Sequence, residues 1–316
     1  MKMRILITGG FGFVGGRLGQ HLQRVGHQVV LGSRTLHPKP DWLPEADIVC
    51  TEWNVPDTLE RICSNVDIVV HTAGMNAQDC SSDPVAALEF NGLATARLVK
   101  AATNKGVKRF IYISTAHVYS APLTGEINET TCLRNLHPYA ATHRAGEDAL
   151  FGLLENENMK GVVLRLSNAF GSPAHKDVNC WMLLVNDLCK QAVQSGKITL
   201  RSSGLQIRDF ISMKEVCRVV EYIICCDLVC CQSNVFNVGS GMSQSVLDMA
   251  KLIQQRCKTI LGSEIELHRP EPRVGEKLQY LKYCTDGLSE IGFNFVVDQS
   301  NEIDKLLLFC HNIFYK

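Results

Sequence analysis

The stretch Arg4–Gly16, RILITGGFGFVGG, decides the fold of this chain. An apolar run passes directly into a loop whose glycines recur every third residue, and an amphipathic helical pattern follows at once. This order predicts a phosphate-binding loop, because glycines let the chain turn tightly, admit a pyrophosphate to the backbone amides and let helix and strand pack closely. The start of the helix would add free N–H groups and a positive dipole end. We expect a dinucleotide cofactor, contacted by Gly9, Gly12, Phe13, Val14 and Gly15.

Short apolar runs alternate with helical patterns through the first half of the chain. The runs are rich in Val and Ile and mostly lack polar alternation, which is typical of parallel strands buried on both faces. The predicted strands are Arg4–Thr8, Gln28–Leu31, Ile48–Thr51, Asp67–His71, Arg109–Ser114 and Val162–Leu166. The predicted helices between them are Phe13–Val25, Asp57–Cys63, Pro84–Lys105 and Tyr139–Leu154. The order predicts an α/β fold with a doubly wound, Rossmann-type parallel sheet.

The rhythm changes after Asn168, and the pattern there predicts a smaller C-terminal α/β lobe. The predicted elements are helices at Trp181–Gln194, Met213–Ile224 and Gln244–Thr259, a strand at Glu264–His268 and a terminal amphipathic helix. We expect residues 1–166 to form the dinucleotide-binding domain, with 207–238 returning to it. Residues 167–206 and 239–316 are expected to form a substrate-binding lobe.

The composition restricts the classes of function. The chain has 316 residues with 32 basic and 32 acidic side chains, so its formal net charge is zero. Balanced charge disfavours nucleic acid and membrane surfaces as partners, and no segment approaches the roughly 20 apolar residues that span a bilayer. The N-terminus lacks the features of a secretion signal, so a cytoplasmic protein with reduced cysteines is expected.

A cluster of cysteines, CCDLVCC, invites a metal interpretation. Its members are Cys225, Cys226, Cys230 and Cys231. The spacing is not the Cys-x-x-Cys pattern of thiolate metal sites, and no histidine is near. The run also continues an apolar segment, so we expect buried thiols and no metal.

The residues after the second predicted strand bear on the choice of cofactor. Ser33 and Arg34 stand where an NAD site usually carries a carboxylate for the ribose 2′-hydroxyl. A carboxylate would repel a 2′-phosphate, whereas a hydroxyl and a guanidinium would bind one. The sequence therefore favours NADP(H) over NAD(H). The alternative is that Arg34 stacks on adenine or points to solvent.

Further motifs along nearly the whole chain resemble those of one family. TGGFGFVG resembles a glycine fingerprint, DIVVHTAG a fourth-strand motif, FNGLATARLVKAA an N-x-x-G-T-x-x-L-L helix and FIYISTAHVY a strand that carries a catalytic Ser or Thr. PYAATHRAGE resembles Y-x-x-x-K followed by G-E, LRLSNAFG resembles R-x-x-N-x-x-G, and GLQIRDFISMKEV and RVGE resemble two arginine-bearing loops. Together they resemble the extended short-chain dehydrogenase/reductases, the NAD-dependent epimerase/dehydratase group that acts mostly on nucleotide sugars.

The resemblance implies roles for particular residues. Tyr139 would be the acid/base and Thr115, with Ser114 beside it, would hydrogen-bond the reacting oxygen. The remaining cofactor residues would be Ala73, Gly74, Asn91, Tyr139 and His143. The substrate residues would be Asn168, Arg208 and Arg273, the two arginines lying on a diphosphate, with His117 as a candidate proton donor. A nucleotide-sugar substrate and a homodimer, built through a helix pair that includes Pro84–Lys105 and Tyr139–Leu154, are implied as well.

His143 departs from the family pattern, because a lysine normally follows the tyrosine by four residues. The spacing places His143 on the helix face of Tyr139, where it can still donate a hydrogen bond to a ribose. An imidazole with an ordinary pKa of about 6.5 is mostly neutral at pH 7 and lacks a lysine's permanent charge. Arg144 lies five residues from Tyr139 and so off that face.

A second departure narrows the reaction. Dehydratases of the family carry an Asp-Glu pair just after the catalytic Thr, where this chain has Ala116 and His117. Dehydration is therefore disfavoured, and the leading hypothesis is nucleotide-sugar epimerisation or reduction of a 4-keto sugar. A cofactor-binding regulatory protein with weakened catalysis is the second hypothesis, because fold alone does not establish activity. A reductase of a non-sugar ketone or alcohol is the third.

Overall fold

A computed structural model describes residues 2–155, 157–227 and 234–315 of the chain. The strands, in chain order, are β1 Arg4–Thr8, β2 Gln28–Ser33, β3 Asp47–Cys50, β4 Ile68–His71, β5 Arg109–Thr115, β6 Gly125–Ile127, β7 Lys160–Leu166, β8 Asn168–Phe170, β9 Lys197–Thr199, β10 Ile207–Ser212, β11 Val235–Val238, β12 Ser243–Ser245, β13 Glu266–His268 and β14 Leu281–Tyr283. The helices are α1 Phe13–Arg24, α2 Pro56–Cys63, α3 Ala77–Ser82, α4 Pro84–Ala87, α5 Ala94–Asn104, α6 Pro138–Leu154, α7 Leu184–Ser195, α8 Met213–Cys225, α9 Val246–Leu261, α10 Asp286–Glu290 and α11 Gln299–Phe314, with a π-helical segment at Leu88–Leu93 and a 3-10 turn at Ala116–Val118.

A seven-stranded sheet in the order β11-β7-β5-β4-β1-β2-β3 combines six strands from the first 166 residues with β11. Strands β3, β2, β1, β4 and β5 pair in parallel. The order runs outward in both directions from β1, so the crevice between β1 and β4 is the switch point at which such sheets bind ligands. The predicted α/β class with a doubly wound sheet is confirmed.

The buried faces explain why these segments form strands and helices. All four residues of β4 are buried, and β1 is buried over its last four residues, as expected for strands covered on both sides. Helices α2 and α5 and the central strands share one apolar cluster that includes Leu59, Leu98 and Phe110. Burial of these apolar faces, each side chain contributing about 1.5–3 kcal/mol, stabilises the sheet–helix layers.

The helix predicted at Pro84–Lys105 is not continuous, and this prediction is corrected. The segment divides into α4, the π-helical turn at Leu88–Leu93 and α5. A π-helical turn inserts an extra residue into the helical ladder and is frequent at functional sites. Apolar periodicity does not reveal it, since the burial pattern on either side still follows a helix.

A second group of elements packs around three helices. Helices α7, α9 and α11 surround an apolar cluster that contains Leu188, Met249, Ile253 and Leu306. Strand β10 pairs in parallel with β8 and antiparallel with β12, while β13 pairs with β9 and β14 with β6.

Contacts divide the chain into two compact units. The first comprises Met1–Ala121, Cys132–Arg165 and Val219–Phe236, and the second Pro122–Thr131, Leu166–Arg218 and Asn237–Lys316. Relative to the boundaries expected from the sequence, the second unit also takes in 122–131 and 207–218. The sequence contains no composition change that marks these two short segments.

Two expectations about class concern the described part of the chain. There, none of the helices combines the length and apolarity that a bilayer crossing requires. Within the same residues, no three His, Cys, Asp or Glu side chains are grouped as metal ligands would be. Cys230 and Cys231, half of the cysteine cluster, lie outside the described residues. The expected burial is wrong for Cys225, which is exposed at the end of α8, and Cys226 is half-buried.

Candidate active site and cofactor site

Glycines at three positions let the loop after β1 pack tightly against the neighbouring backbone. Gly9 has a φ of +68°, and a Cβ there would lie 2.9 Å from the Ala73 Cα. A Cβ at Gly15 would overlap the Gly9 carbonyl, and the Gly12 amide donates to that same carbonyl at 2.8 Å. Helix α1 begins at Phe13 and Val14 without a side-chain cap or an acidic residue in its first turn. Its free amides and open cradle fit a dinucleotide pyrophosphate.

The segment after β4 forms the other side of this crevice. Ala73 and Gly74 follow β4 directly, and Asn91 holds the next residues in place, since its Oδ1 accepts from the Met75 amide at 2.9 Å. The Asn91 Nδ2 donates to the Thr142 hydroxyl at 3.0 Å. Asn91 is 1% exposed and lies in the π-helical turn. The structure therefore places it as a support of the predicted cofactor site.

Ser33 and Arg34 lie where the sequence predicts, at the end of β2. Ser33 is half-buried, and its hydroxyl accepts from the Thr35 amide at 3.4 Å. Arg34 is exposed, with its guanidinium carbon 5.6 Å from the centre of the Phe90 ring. A cation over an aromatic face is attracted to it. The Phe90 ring therefore helps to hold the Arg34 side chain in place without a bound ligand.

Helix α6 presents a row of side chains toward β5. Residues Tyr139, His143 and Glu147 are spaced by four and share one face. On β5, Tyr112 and Ser114 are two apart and share a face of the strand. The Tyr112 hydroxyl bonds His143 Nδ1 at 2.9 Å, and the Ser114 hydroxyl donates to Glu147. Two pairs of side chains thus fix α6 against the strand.

Tyr139 lies at the first turn of α6, which begins with Pro138 at the position that favours proline. The His137 Nδ1 accepts from the Tyr139 amide at 3.2 Å and caps the helix. The Tyr139 phenol is half-buried and lies beside the Thr115 side chain. Burial raises the pKa of Tyr139, and the Thr115 hydroxyl offsets only part of this rise. The phenol is therefore protonated at neutral pH.

His143 stands beside this phenol, with ring centres 4.6 Å apart and an interplanar angle of 69°. The side chain is 7% exposed. Burial, and next the nearby His117, lower the pKa of His143 to about 4. At pH 7 the imidazole is neutral, so it gives no positive charge to lower the pKa of Tyr139. The expectation that His143 is uncharged and shares the face of Tyr139 agrees with this geometry.

Ser114 is 4% exposed and belongs to a different group of side chains. Its hydroxyl donates to Glu147, and Glu147 pairs with Arg165 at 2.6 Å. Arg165 also donates to the Tyr119 hydroxyl at 2.9 Å. The structure places Ser114 in a buried polar network that joins α6 to β5 and β7, and Thr115 alone of the two reaches Tyr139.

His117 is exposed, and its ring centre is 6.2 Å from that of Tyr139. Its amide donates to the Thr115 hydroxyl at 3.2 Å, and its carbonyl accepts from Asn135 at 2.7 Å. The backbone of His117 therefore holds Thr115, while the ring lies at the edge of the site. The structure brings together four of the predicted residues: Tyr139, Thr115, His143 and His117.

The predicted substrate residues of the second unit differ in their surroundings. Asn168 on β8 donates to the Asp209 carbonyl of β10 at 2.8 Å. Arg208 is half-buried, donates to the Gln206 Oε1 at 2.7 Å, and burial lowers its pKa. Arg273 is exposed, with its amide on Glu276 at 2.9 Å. Arg208 and Arg273 keep guanidinium groups that suit a phosphate.

The sequence did not predict two buried residues on β4 and β5 that pack next to the site. His71 is buried, its pKa is lowered by burial to about 3, and it contacts the Thr8 hydroxyl at 2.6 Å and the Thr95 hydroxyl at 2.9 Å. Tyr112 stacks on His71 at 5.5 Å. One sequence signal could have identified Tyr112. It lies two residues before Ser114 on β5, and this spacing matches the four-residue spacing of His143 and Glu147 on α6.

Comparison with known proteins identifies the class. Residues 5–239 match the profile of the NAD dependent epimerase/dehydratase family. The match spans well over half of the chain, and the chain belongs to this family. The resemblance expected from the sequence is confirmed.

Individual relatives are more distant. The chain is 26% identical over 289 residues to the uncharacterized UDP-glucose epimerase YtcB of Bacillus subtilis, covering 87% of each chain. It is 24% identical over 310 residues to dTDP-glucose 4,6-dehydratase of Streptomyces niveus, covering 92% of this chain and 88% of the relative. The UDP-N-acetylglucosamine 4-epimerase structure from Methanobrevibacter ruminantium has a TM-score of 0.81 at 23% identity, covers 98% of both chains, and shows the fold alone.

Proposed function

We propose that this chain epimerises a nucleotide sugar or reduces a 4-keto nucleotide sugar with a nicotinamide cofactor. The observation that carries the proposal is the Tyr139 phenol at the start of α6, beside Thr115 and His143, in the unit that also contains the glycine loop. The bound cofactor would supply or accept hydride. Tyr139 would give or take the proton of the sugar oxygen, with Thr115 hydrogen-bonded to that oxygen.

The proposal assigns the sugar nucleotide to the second unit by its arginines. Arg208 and Arg273 would bind the diphosphate, and Asn168 a hydroxyl of the substrate. Family membership supports a nucleotide-sugar substrate, while relatives of similar identity include both epimerases and dehydratases. Ala116 and His117 replace the acidic pair of the dehydratases, which favours epimerisation or reduction.

Incubation of the purified chain with a panel of UDP-, GDP- and dTDP-hexoses and 4-keto-hexoses tests the proposal. An epimerase should convert its substrate without added cofactor, whereas a reductase should consume NADH or NADPH stoichiometrically. Tyr139→Phe should lower either rate by at least about 100-fold, since positioned acid/base catalysis contributes that much. Turnover unchanged in this variant would exclude the mechanism.

A second candidate function is supported by the neutral imidazole at His143. A site without a cation beside Tyr139, whose pKa is raised by burial, suits a cofactor-binding regulatory protein as well as an enzyme. Such a protein would bind NAD(P)(H) but show no turnover with any member of the panel, and His143→Lys would not create turnover. Gain of turnover in that variant would exclude this candidate.

The choice of cofactor is a separate part of the proposal. The family is NAD-dependent by name, whereas Ser33 and Arg34 favour NADP(H). Arg34→Ala should lower the affinity for NADP⁺ by about tenfold or more and change the affinity for NAD⁺ by less than about twofold. The reason is that the guanidinium would contact only the 2′-phosphate. Titration calorimetry with both nucleotides measures the difference. Equal effects on the two affinities would contradict a contact with the 2′-phosphate and would mean that Arg34 stacks on adenine or only on Phe90.

A homodimer is the last part of the proposal. Apolar side chains of the helices named for it are exposed, namely Val85, Leu88, Leu93 and Leu153. Exposed apolar groups on neighbouring helices are typical of an interface. Light scattering should give twice the chain mass of 35.1 kDa, and Leu88→Glu should give the monomer. A monomeric wild-type chain at tens of micromolar would exclude this interface.

A further inference from the structure

The Tyr112–His143 pair is the strongest feature of the site that the proposed function leaves unexplained. Tyr112 is 1% exposed and His143 is 7% exposed, and the Tyr112 hydroxyl lies 2.9 Å from His143 Nδ1. Tyr112 is on β5, which packs against α6, so the partner of His143 comes from a different element than Tyr139. A buried tyrosine hydroxyl requires a partner, and here that partner is a titratable ring.

The direction of this hydrogen bond determines which His143 nitrogen carries the proton. A neutral imidazole has one donor nitrogen and one acceptor nitrogen. If Tyr112 donates to Nδ1, the proton of His143 is on Nε2. If Nδ1 donates to Tyr112, Nε2 is an acceptor. The two tautomers offer opposite groups to a ligand, and hydrogen positions follow from the surrounding network.

The surrounding network favours donation by Tyr112. The Thr95 hydroxyl also interacts with the Tyr112 phenol, so its oxygen is the alternative acceptor to consider for the Tyr112 proton. That hydroxyl already donates to the Asn91 carbonyl at 2.7 Å and bonds His71 Nε2 at 2.9 Å. Since the Thr95 proton is directed at Asn91, His71 must be the donor to Thr95. Thr95 thus has most of its capacity in use, whereas Nδ1 of His143 has Tyr112 as its partner.

The other edge of His143 faces the cofactor crevice. A Cβ on Gly74 would lie 3.5 Å from His143 Cε1 and 3.7 Å from Nε2. Gly74 follows β4 at the switch point of the sheet. Among the described residues, Nε2 has no hydrogen-bond partner. This nitrogen is therefore available to a group that enters the crevice.

We propose that Tyr112 is a positioning residue that holds His143 in the Nε2–H tautomer, so that Nε2 donates a hydrogen bond to a hydroxyl of the cofactor ribose. This rests on the proposed cofactor role of His143. Together, Tyr112 and the neutral His143 would replace the hydrogen bond that a lysine donates to the ribose, but not the positive charge of that lysine.

The test begins with the tautomer itself, in the full chain without ligand. Nitrogen-15 NMR of the histidine side chains, with His143 identified by its loss in His143→Gln, should show protonated Nε2 and unprotonated Nδ1 at pH 7. In Tyr112→Phe, which removes only the hydroxyl, this pattern should change to a mixture of tautomers. Tyr119→Phe is the matched control, because Tyr119 is also 1% exposed and its hydroxyl bonds Arg165, not His143.

Cofactor affinity gives the second readout. Tyr112→Phe should weaken NAD⁺ and NADP⁺ alike by about three- to tenfold, the usual effect of one misdirected hydrogen bond, while Tyr119→Phe should stay within about twofold. In a His143→Lys background, the added Tyr112→Phe should change affinity by less than about twofold, since a lysine does not depend on a tautomer.

An Nδ1–H tautomer in the wild-type chain would overturn the inference, as would equal affinity losses in the two tyrosine variants. These measurements need no substrate. If they succeed while no nucleotide sugar is turned over, the proposed reaction fails and the tautomer assignment stands.

Discussion

In the proposed reaction, Tyr139 would set the dependence of the rate on pH. Even an ordinary tyrosine, with a pKa of about 10, is ionised in only about one molecule in a thousand at pH 7. Burial raises the pKa of Tyr139 further, and His143 is neutral once the pH exceeds its pKa of about 4. The site therefore contains a good proton donor and a poor base at neutral pH.

The first prediction follows from this ionisation. Oxidation of a sugar hydroxyl, which needs the tyrosinate, should speed up about tenfold per pH unit from pH 7 to at least pH 9, while reduction of a ketone should be nearly constant. Initial rates in both directions, with kcat separated from KM, measure the two profiles. A plateau of the oxidation rate below pH 8 would show that some other group lowers the pKa of Tyr139.

The second prediction concerns His143→Lys. A cation one helical turn from Tyr139 stabilises the tyrosinate, so the oxidation profile should shift to lower pH by about one unit and the rate at pH 7 should rise by about tenfold. Arg144→Lys is the control, because Arg144 is exposed on the same helix and should leave the profile where it is. An unshifted profile in His143→Lys would mean that charge at this position does not control Tyr139.

At the scale of elements, the glycine loop positions the start of α1, and the two together form the proposed pyrophosphate site. Gly15→Val should reduce cofactor affinity at least about 100-fold, because any Cβ overlaps the Gly9 carbonyl and displaces the helix start that would hold the pyrophosphate. Gly152→Ala in α6 is the control: a Cβ there meets nothing within 4 Å. It should leave affinity unchanged and raise stability by about 0.5–1 kcal/mol. Calorimetry and denaturant unfolding separate the two effects.

The pairing of α6 with β7 should dominate the stability of this part of the sheet. Glu147→Gln leaves the 5%-exposed Arg165 without its carboxylate and should cost about 3–5 kcal/mol, as removal of one partner of a buried pair does. Arg144→Ala, which loses an exposed pair with Asp148 at 3.7 Å and an exposed hydrogen bond to the Leu133 carbonyl at 3.3 Å, should cost less than about 1 kcal/mol. Similar costs in urea unfolding would show that the buried pair is dispensable.

At the scale of the whole molecule, cofactor and nucleotide sugar are assigned to different units. Arg208→Ala should lower the affinity for UDP, or for the nucleotide of the true substrate, by about tenfold or more, because a charge-assisted contact with phosphate is lost. The affinity for NAD(P)⁺ should change by less than about twofold. Lys251→Ala, an exposed position on α9, removes the same charge and should affect neither. Equal weakening of both ligands by Arg208→Ala would contradict the division of tasks.

Most of the sheet could be predicted because its signals are local. Strand β1 was predicted with its exact bounds, and the other five strands predicted in the first half of the chain within two residues at each end, since Val- and Ile-rich runs bounded by turns need no tertiary information. The three-residue strands β8 and β12 were missed, because so few residues carry little periodicity, although the equally short β13 lies within the strand predicted at Glu264–His268. The π-helical turn at Leu88–Leu93 is likewise invisible to a helical pattern.

The candidate site divides in the same way. The spacing of Tyr139 and His143 is a property of one helix, so the sequence determined that they share a face and that the usual lysine is absent. Whether Ser114 or Thr115 reaches Tyr139 depends on how β5 lies under α6, and the fold directs Ser114 to Glu147.

The sequence by itself determined the cofactor loop, the doubly wound sheet and the family, because glycine spacing and apolar runs act within a few residues of one another. Only the tertiary structure decided the protonation state of the proposed catalytic groups. Burial by distant segments sets the pKa of Tyr139 and His143, and Tyr112, 31 residues before His143 in the chain, becomes its hydrogen-bond partner only when strand and helix pack.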